Sequence, residues 1–351
     1  MKSKEIGSEF WEVECKSTYV ISGKTYLAGR TALTAIILDI KSKGVCSVGL
    51  PDYCCRSMIE PFMRQDIKII FYSVQNNETG IFFSFDKLDD FDAVMLVNYF
   101  GFMSGEIERI ISKCHKAGKI VILDQTHAVF SDKKYSADYI FGSYRKWTGI
   151  EIGFASAQNV TELKRWPCNS TGLEYLALRK KARKIKEEFV SGEYRDENQR
   201  SAQLHFFNKA EEFLDEEYFS DTDEENKHLL KTLDAKLIRK RRNKNAKVIY
   251  EYLNELKICK PMFPVLSEDI VPLVIPVLVI KEKRDSLRSF LQAQGVFCPV
   301  HWPLSDLHRV DKAALDIYKS EISLICDQRY NELDMIRMME SVKKWEIRQF
   351  V

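Results

Sequence analysis

"KIVILD", Lys119–Asp124, is an unbroken apolar run closed by an aspartate. A strand that alternates apolar and polar residues has one wet face, whereas a strand apolar throughout has both faces covered. Similar short runs lie on either side: "VCSVGLP" (45–51), "IKIIFYSV" (67–74), "DAVMLVNYF" (92–100), "DYIFGS" (138–143) and "GFASA" (153–157). Among them are segments with helical apolar spacing: "TALTAIILDIKSKG" (31–44), which ends on glycine, "SMIEPFMRQD" (57–66) and "GEIERIISKCHKAG" (105–118). This alternation predicts an α/β layer, a mainly parallel central sheet flanked by helices. From about residue 161 the pattern becomes long, charged and helical. The last stretch mixes a strand pattern, "VPLVIPVLVI" (271–280), with helical ones at 283–295 and 331–345, which predicts a smaller α+β lobe. We place a large domain at 1–240, including the N-terminal segment and the charged helical stretch, and a small C-terminal domain at 241–351.

With 351 residues, 45% hydrophobic and 30% charged, the chain can bury a large core in two lobes. A formal net charge of +2 points to no polyanion. The basic runs at 179–188 and 239–247 alternate with the acidic stretch 211–226, the pattern of solvated faces, so no nucleic-acid partner is expected. The nine cysteines lack zinc-ligand spacing, so reduced thiols and no metal are expected. The N-terminus lacks a signal peptide's apolar core, and no apolar stretch reaches membrane-spanning length. These features predict a cytoplasmic protein with no membrane partner.

Ligands of open parallel sheets bind beyond the carboxyl ends of the strands. Asp124 ends one such strand, and Ser143 ends the next with Lys146 just past it. Each has an ordinary reading: the aspartate caps a turn, and the lysine lies along the face of its neighbour Trp147. "AGRTAL" (28–33) puts Gly29, Arg30 and Thr31 at a helix start, where exposed N–H groups favour an anion; Thr31 as a plain helix cap explains the same letters. No dinucleotide or P-loop glycine fingerprint is present in the sequence. One chemistry uses all these features in this order. Pyridoxal 5'-phosphate needs a lysine for its Schiff base, a carboxylate for its protonated ring nitrogen, and a helix terminus with a hydroxyl for its phosphate.

The chain resembles the DegT/DnrJ/EryC1/StrS aminotransferases, fold-type I pyridoxal-phosphate enzymes that aminate keto sugars. "GRTAL", "PDYCCRSMIEPF", "VNYFGF", "VILDQTHAV", "SYRKW", "RKRRNKNAKVIYEYL", "VFCPVHWPL" and "SLICDQRYNELDM" carry the resemblance, in that order, over nearly the whole chain. It implies Lys146 as the Schiff-base and proton-moving residue and Asp124 as the ring-nitrogen partner. His127 matches the position beside the cofactor's phenolic oxygen, and Gly29, Arg30, Thr31 and Ser143 surround the phosphate. Either Tyr53 or Cys55 covers the ring. His301 and Trp302 face the active site from the small lobe as substrate contacts. The resemblance further implies a homodimer and an amino donor, glutamate, serving a keto sugar or sugar nucleotide in polysaccharide biosynthesis. Two departures stand out. "SGEYRDENQRSAQ" (191–203) does not match the loop that reaches across the family's dimer, and "TGIEIGF" (148–154) alters the turn after the lysine. Other readings therefore stay open: another pyridoxal-phosphate reaction on this scaffold, or a cofactor-binding regulator without turnover.

Overall fold

In the computed structural model, which describes residues 5–11, 19, 23–85, 88–159, 162–192, 196–280 and 282–350, the apolar runs lie side by side. The first part of the chain contributes β1 (Ile6–Gly7), β2 (Lys24–Tyr26), α1 (Gly29–Ser42), β3 (Ser47–Pro51), α2 (Arg56–Met63), β4 (Lys68–Asn77) and β5 (Gly80–Ser84). There follow β6 (Ala93–Val97), α3 (Ser104–Lys116), β7 (Ile120–Asp124), β8 (Tyr139–Ser143) and β9 (Gly153–Ala157). Of these strands, β2 to β9 form one eight-stranded sheet in the order β2-β9-β8-β7-β6-β3-β4-β5. The four central pairings, β4 with β3, β3 with β6, β6 with β7 and β7 with β8, are parallel; the pairings at both edges are antiparallel. β6 is buried along its whole length, as an apolar run between helix layers requires.

Beyond the sheet come α4 (Ser170–Ser191) and α5 (Glu197–Glu216), which pack against each other, then α6 (Glu224–Lys231) and α7 (Ala235–Leu253). The remainder holds β10 (Cys259–Pro261), β11 (Ile275–Val279), α8 (Arg284–Ala293), β12 (Val296–Phe297), α9 (Lys312–Ser320), β13 (Glu321–Leu324) and α10 (Glu332–Ile347). β10, β11 and β13 make a small antiparallel sheet, and β12 pairs with β1, tying the two ends of the chain together. The α4–α5 hairpin is docked by a buried charge cluster. Glu151 is fully covered and accepts hydrogen bonds from Arg179 Nε (2.8 Å), Arg183 (2.8 Å) and the Tyr175 hydroxyl (2.7 Å). A buried carboxylate survives only with such partners. They hold its pKa down even though burial alone would raise it. Among the described residues no helix is long and apolar enough to cross a membrane.

Candidate active site

The carboxyl ends of β3, β6, β7 and β8 meet at one edge, with Asp124 between Val97 and Phe141 in register. Its carboxylate is 2% exposed and accepts the Thr126 N–H at 2.7 Å. Among the described residues no lysine, arginine or histidine lies within ion-pair distance of it. Burial therefore dominates and pushes its pKa up to about 6, against the opposing pull of the Thr126 hydrogen bonds. This is more than a turn cap. It is a desolvated anion whose counter-charge is not a side chain of this chain's described residues.

Lys146 closes a single 3-10 turn, Tyr144–Lys146, directly after β8. Trp147 anchors that turn. Its ring is fully buried, its indole N–H donates to the Thr126 carbonyl (2.7 Å), and its own carbonyl accepts from Gln328 (2.7 Å). The cation over the Trp147 face is Arg242, 4.4 Å from the ring centroid, so the lysine does not lie along its neighbour as the ordinary reading had it. Lys146 is accessible, but what it opens onto is the cleft. It lines both a pocket of about 160 Å³ at the strand ends and a cavity of about 400 Å³ between the large sheet and the C-terminal part. The surrounding protein desolvates the amine and lowers its pKa, and the adjacent Arg145 charge lowers it further.

The smaller pocket gathers Gly29, Arg30, Cys55, Asp124, His127, Ser143, Lys146 and Trp302. The residue before α1, Ala28, offers no side-chain cap, so the first-turn N–H groups are left for something else. Thr31 is not a cap either: its hydroxyl donates to the Tyr218 carbonyl at 2.6 Å, and only its main chain stays at the helix start. Gly153 has a steric reason. A Cβ there would meet the Ala28 carbonyl oxygen at 2.1 Å, so glycine lets β9 hold the start of α1 against the sheet. Arg30 is pinned by Asp215 (2.7 Å) and the Leu214 carbonyl (3.2 Å), while its buried Nε has no partner among the described residues.

His127 is buried and accepts the Phe100 N–H at Nδ1 (3.2 Å), so its proton sits on Nε2. The turn that supplies this donor needs Gly101, at φ 88, because a Cβ would meet the Val271 and His127 carbonyl oxygens at 2.8 and 3.0 Å. Burial, then the charges of His301 and Lys146, hold the His127 pKa well below the usual range, so the ring stays neutral. The Trp302 ring faces it at 5.5 Å and 23°. His301 lines the larger cavity instead.

Of Tyr53 and Cys55, Cys55 is the one that lines the smaller pocket. Tyr53 is fully buried away from the pocket: its ring stacks on Tyr99 (5.4 Å) and its hydroxyl donates to the His301 carbonyl. Three aromatic neighbours, Tyr99, Tyr318 and Trp302, pack around its ring, so the structure does not bring Tyr53 to the pocket with the other predicted residues. Cys55 lines the pocket, and its thiol pKa is raised by burial. Sequence reasoning missed Arg145, which lines both cavities and pairs with Glu211, and it missed Leu214 at the pocket edge. No local signal marks either, since both act through contacts more than sixty residues away. Of the stretch 191–203, residues 193–195 lie outside the described residues, and 197–203 begin α5. The end of that same helix reaches the pocket with Leu214.

The donor set fits pyridoxal phosphate: an amine of lowered pKa, an uncapped helix start beside Ser143, and a buried carboxylate with no cation beside it among the described residues. No protein-family model and no curated protein matches the sequence. Solved structures do match the fold. Helicobacter pylori PseC, an aminotransferase involved in the biosynthesis of pseudoaminic acid, is 16% identical with TM-score 0.62, over 94% of this chain and 88% of that one. NtdA from Bacillus subtilis, solved with bound PMP, is 15% identical with TM-score 0.61, over 92% and 72%. A DegT DnrJ EryC1 StrS aminotransferase from Brucella abortus is 14% identical with TM-score 0.59, over 93% and 86%. The chain has the fold of these aminotransferases, a mostly parallel central sheet flanked by helices with a small antiparallel sheet beside it.

Proposed function

We propose that the protein is a pyridoxal-phosphate-dependent aminotransferase that moves an amino group, with glutamate as donor, to a keto sugar or sugar nucleotide. One observation carries the reading: Asp124, a buried carboxylate without a counter-ion among the described residues, and Lys146, a lysine of lowered pKa, line one pocket. When bound, the cofactor supplies an aldehyde for an amine and a cationic ring that takes up the electrons of a breaking C–H bond. Asp124 would accept a hydrogen bond from the ring nitrogen and keep the proton there. Lys146 Nζ would carry a proton to and from the substrate carbon, and the neighbouring Arg145 charge lowers its pKa for that task. The N–H groups at the start of α1, with Ser143 and Arg30, hold the phosphate end. His127 offers its Nε2–H as a donor, and Trp302 with Cys55 walls the pocket. Structural likeness to aminotransferases, one of them involved in the biosynthesis of pseudoaminic acid, supports a sugar acceptor, for which the larger cavity beside Lys146 offers room. The homodimer and the division near residue 240 belong to the same proposal.

The test is the visible spectrum of protein mixed with pyridoxal phosphate, before and after borohydride, with the modified peptide mapped. A reduced adduct on Lys146 is expected; a colourless preparation refutes the reading. Adding L-glutamate to the loaded protein then separates an enzyme, whose absorbance shifts, from a cofactor-binding regulator, whose absorbance does not.

A further inference from the structure

We propose that His301 is the base that takes the proton from the incoming amino donor, with Ser323 and Glu321 as the residues that position it. The proposal rests on the aminotransferase reading and adds a residue to its chemistry. An amino acid arrives as an ammonium, which has no lone pair with which to attack; something in the cleft must remove a proton first.

Glu321 is fully buried at the start of β13. Its Oε2 accepts the His301 main-chain N–H at 2.7 Å, and its Oε1 accepts the Ser323 hydroxyl at 2.5 Å. Among the described residues no lysine or arginine lies within ion-pair distance of that carboxylate; Arg284 reaches only its main-chain carbonyl, at 3.0 Å. The one group near enough to offset it is the His301 ring, whose Nδ1 is 3.9 Å from Oε1. A cation formed on that ring would therefore face a buried carboxylate.

The hydrogen bonds also set the tautomer. Ser323 Oγ gives its own proton to Glu321, so towards His301 it can only accept, and Nδ1, 2.8 Å away, must be the donor. In the neutral ring the lone pair is then on Nε2, which has no hydrogen-bond partner among the described residues and belongs to a residue lining the larger cavity. His127, with ring centroid 5.3 Å away, has the opposite arrangement, because it accepts at Nδ1 and carries its proton on Nε2. One ring of the pair accepts and the other donates. The charged groups lining that cavity with His301 are Lys146, Arg145, Arg242, Arg288 and Glu9, while Asp327 and Arg329 pair with each other at 2.7 Å.

The step balances. An N–H bond of the donor's ammonium breaks, its electron pair stays on nitrogen as the attacking lone pair, and the proton bonds to His301 Nε2. The imidazolium so formed faces Glu321 through Nδ1–H and Ser323. The proton returns to the departing amine when the sequence runs backwards.

Two measurements test this. The first follows the absorbance change of pyridoxal-phosphate-loaded protein mixed with L-glutamate, from about pH 7 to pH 9. Wild-type rates are expected to change little, whereas His301→Asn is slow and accelerates close to tenfold per pH unit, because only the free-amine fraction of glutamate then reacts. Parallel pH profiles for the two proteins overturn the role of His301 alone. A loaded wild-type protein that does not respond to glutamate removes the aminotransferase reading, and this role with it. The second is long-range ¹H–¹⁵N NMR of histidine-labelled protein, which needs no turnover. His301 is expected as the Nδ1–H tautomer, and Ser323→Ala is expected to lose that preference while still folding. An Nε2–H tautomer in the wild type overturns the proposal, even if His301→Asn fails to fold.

Discussion

Replacing Asp124 with asparagine isolates the cost of the unpaired carboxylate. Burial raises this group from 3.8 to about 6. At about 1.4 kcal/mol per unit, keeping it ionised costs the empty protein about 3 kcal/mol. Because the folded value is the higher one, the penalty is absent below about pH 4, grows as pH rises and is complete above about pH 6. Between about pH 5 and pH 7.5 it grows by about 1.4 kcal/mol. Asparagine can still accept the Thr126 N–H and does not titrate, so its own packing cost is the same at both pH values. Urea unfolding of cofactor-free wild type and Asp124→Asn at the two pH values therefore gives a stability difference that shifts towards asparagine by about 1.4 kcal/mol at the higher pH. Loading with pyridoxal phosphate supplies a cation, so it is expected to shrink the wild-type penalty and to bind Asp124→Asn more weakly. A stability difference that does not move with pH refutes the argument, because the carboxylate would then have a partner.

Glu151→Gln leaves Arg179 and Arg183 facing a neutral amide in a fully covered site, and a loss of about 3–5 kcal/mol is expected by chemical denaturation. Thr31→Val strands the buried Tyr218 carbonyl and is expected to cost about 1–3 kcal/mol, with cofactor affinity unchanged by fluorescence titration. Arg145→Gln removes a charge that holds the Lys146 amine down, so the pH midpoint for uptake of pyridoxal phosphate, followed by absorbance, is expected to rise.

The parallel strands were readable because runs such as 93–97 and 120–123 are apolar at every position, the pattern expected of a sheet covered on both faces. Once those strands were placed, Asp124 and Lys146 followed, since position at a strand end is a local property. The β4–β5 hairpin went unread although "NNETG" (76–80) is a turn signal; there the Thr79 N–H donates to the Asn77 side chain at 2.8 Å. What local pattern cannot supply is the choice between neighbours whose partners are distant. Tyr53 and Cys55 point differently because Tyr99, Tyr318 and Trp302 compete for the tyrosine. Thr31 is turned from the helix start by Tyr218, far along the chain. Trp147 is covered by Arg242, so the lysine beside it is left for other work.

The α4–α5 hairpin has a consequence for assembly. Leu214 at the pocket edge and Asp215 on Arg30 belong to the same polypeptide as Gly29. This wall of the phosphate end is thus raised when the single chain folds and does not wait for a second copy to arrive. Under the proposed function, dilution is therefore not expected to dismantle this wall.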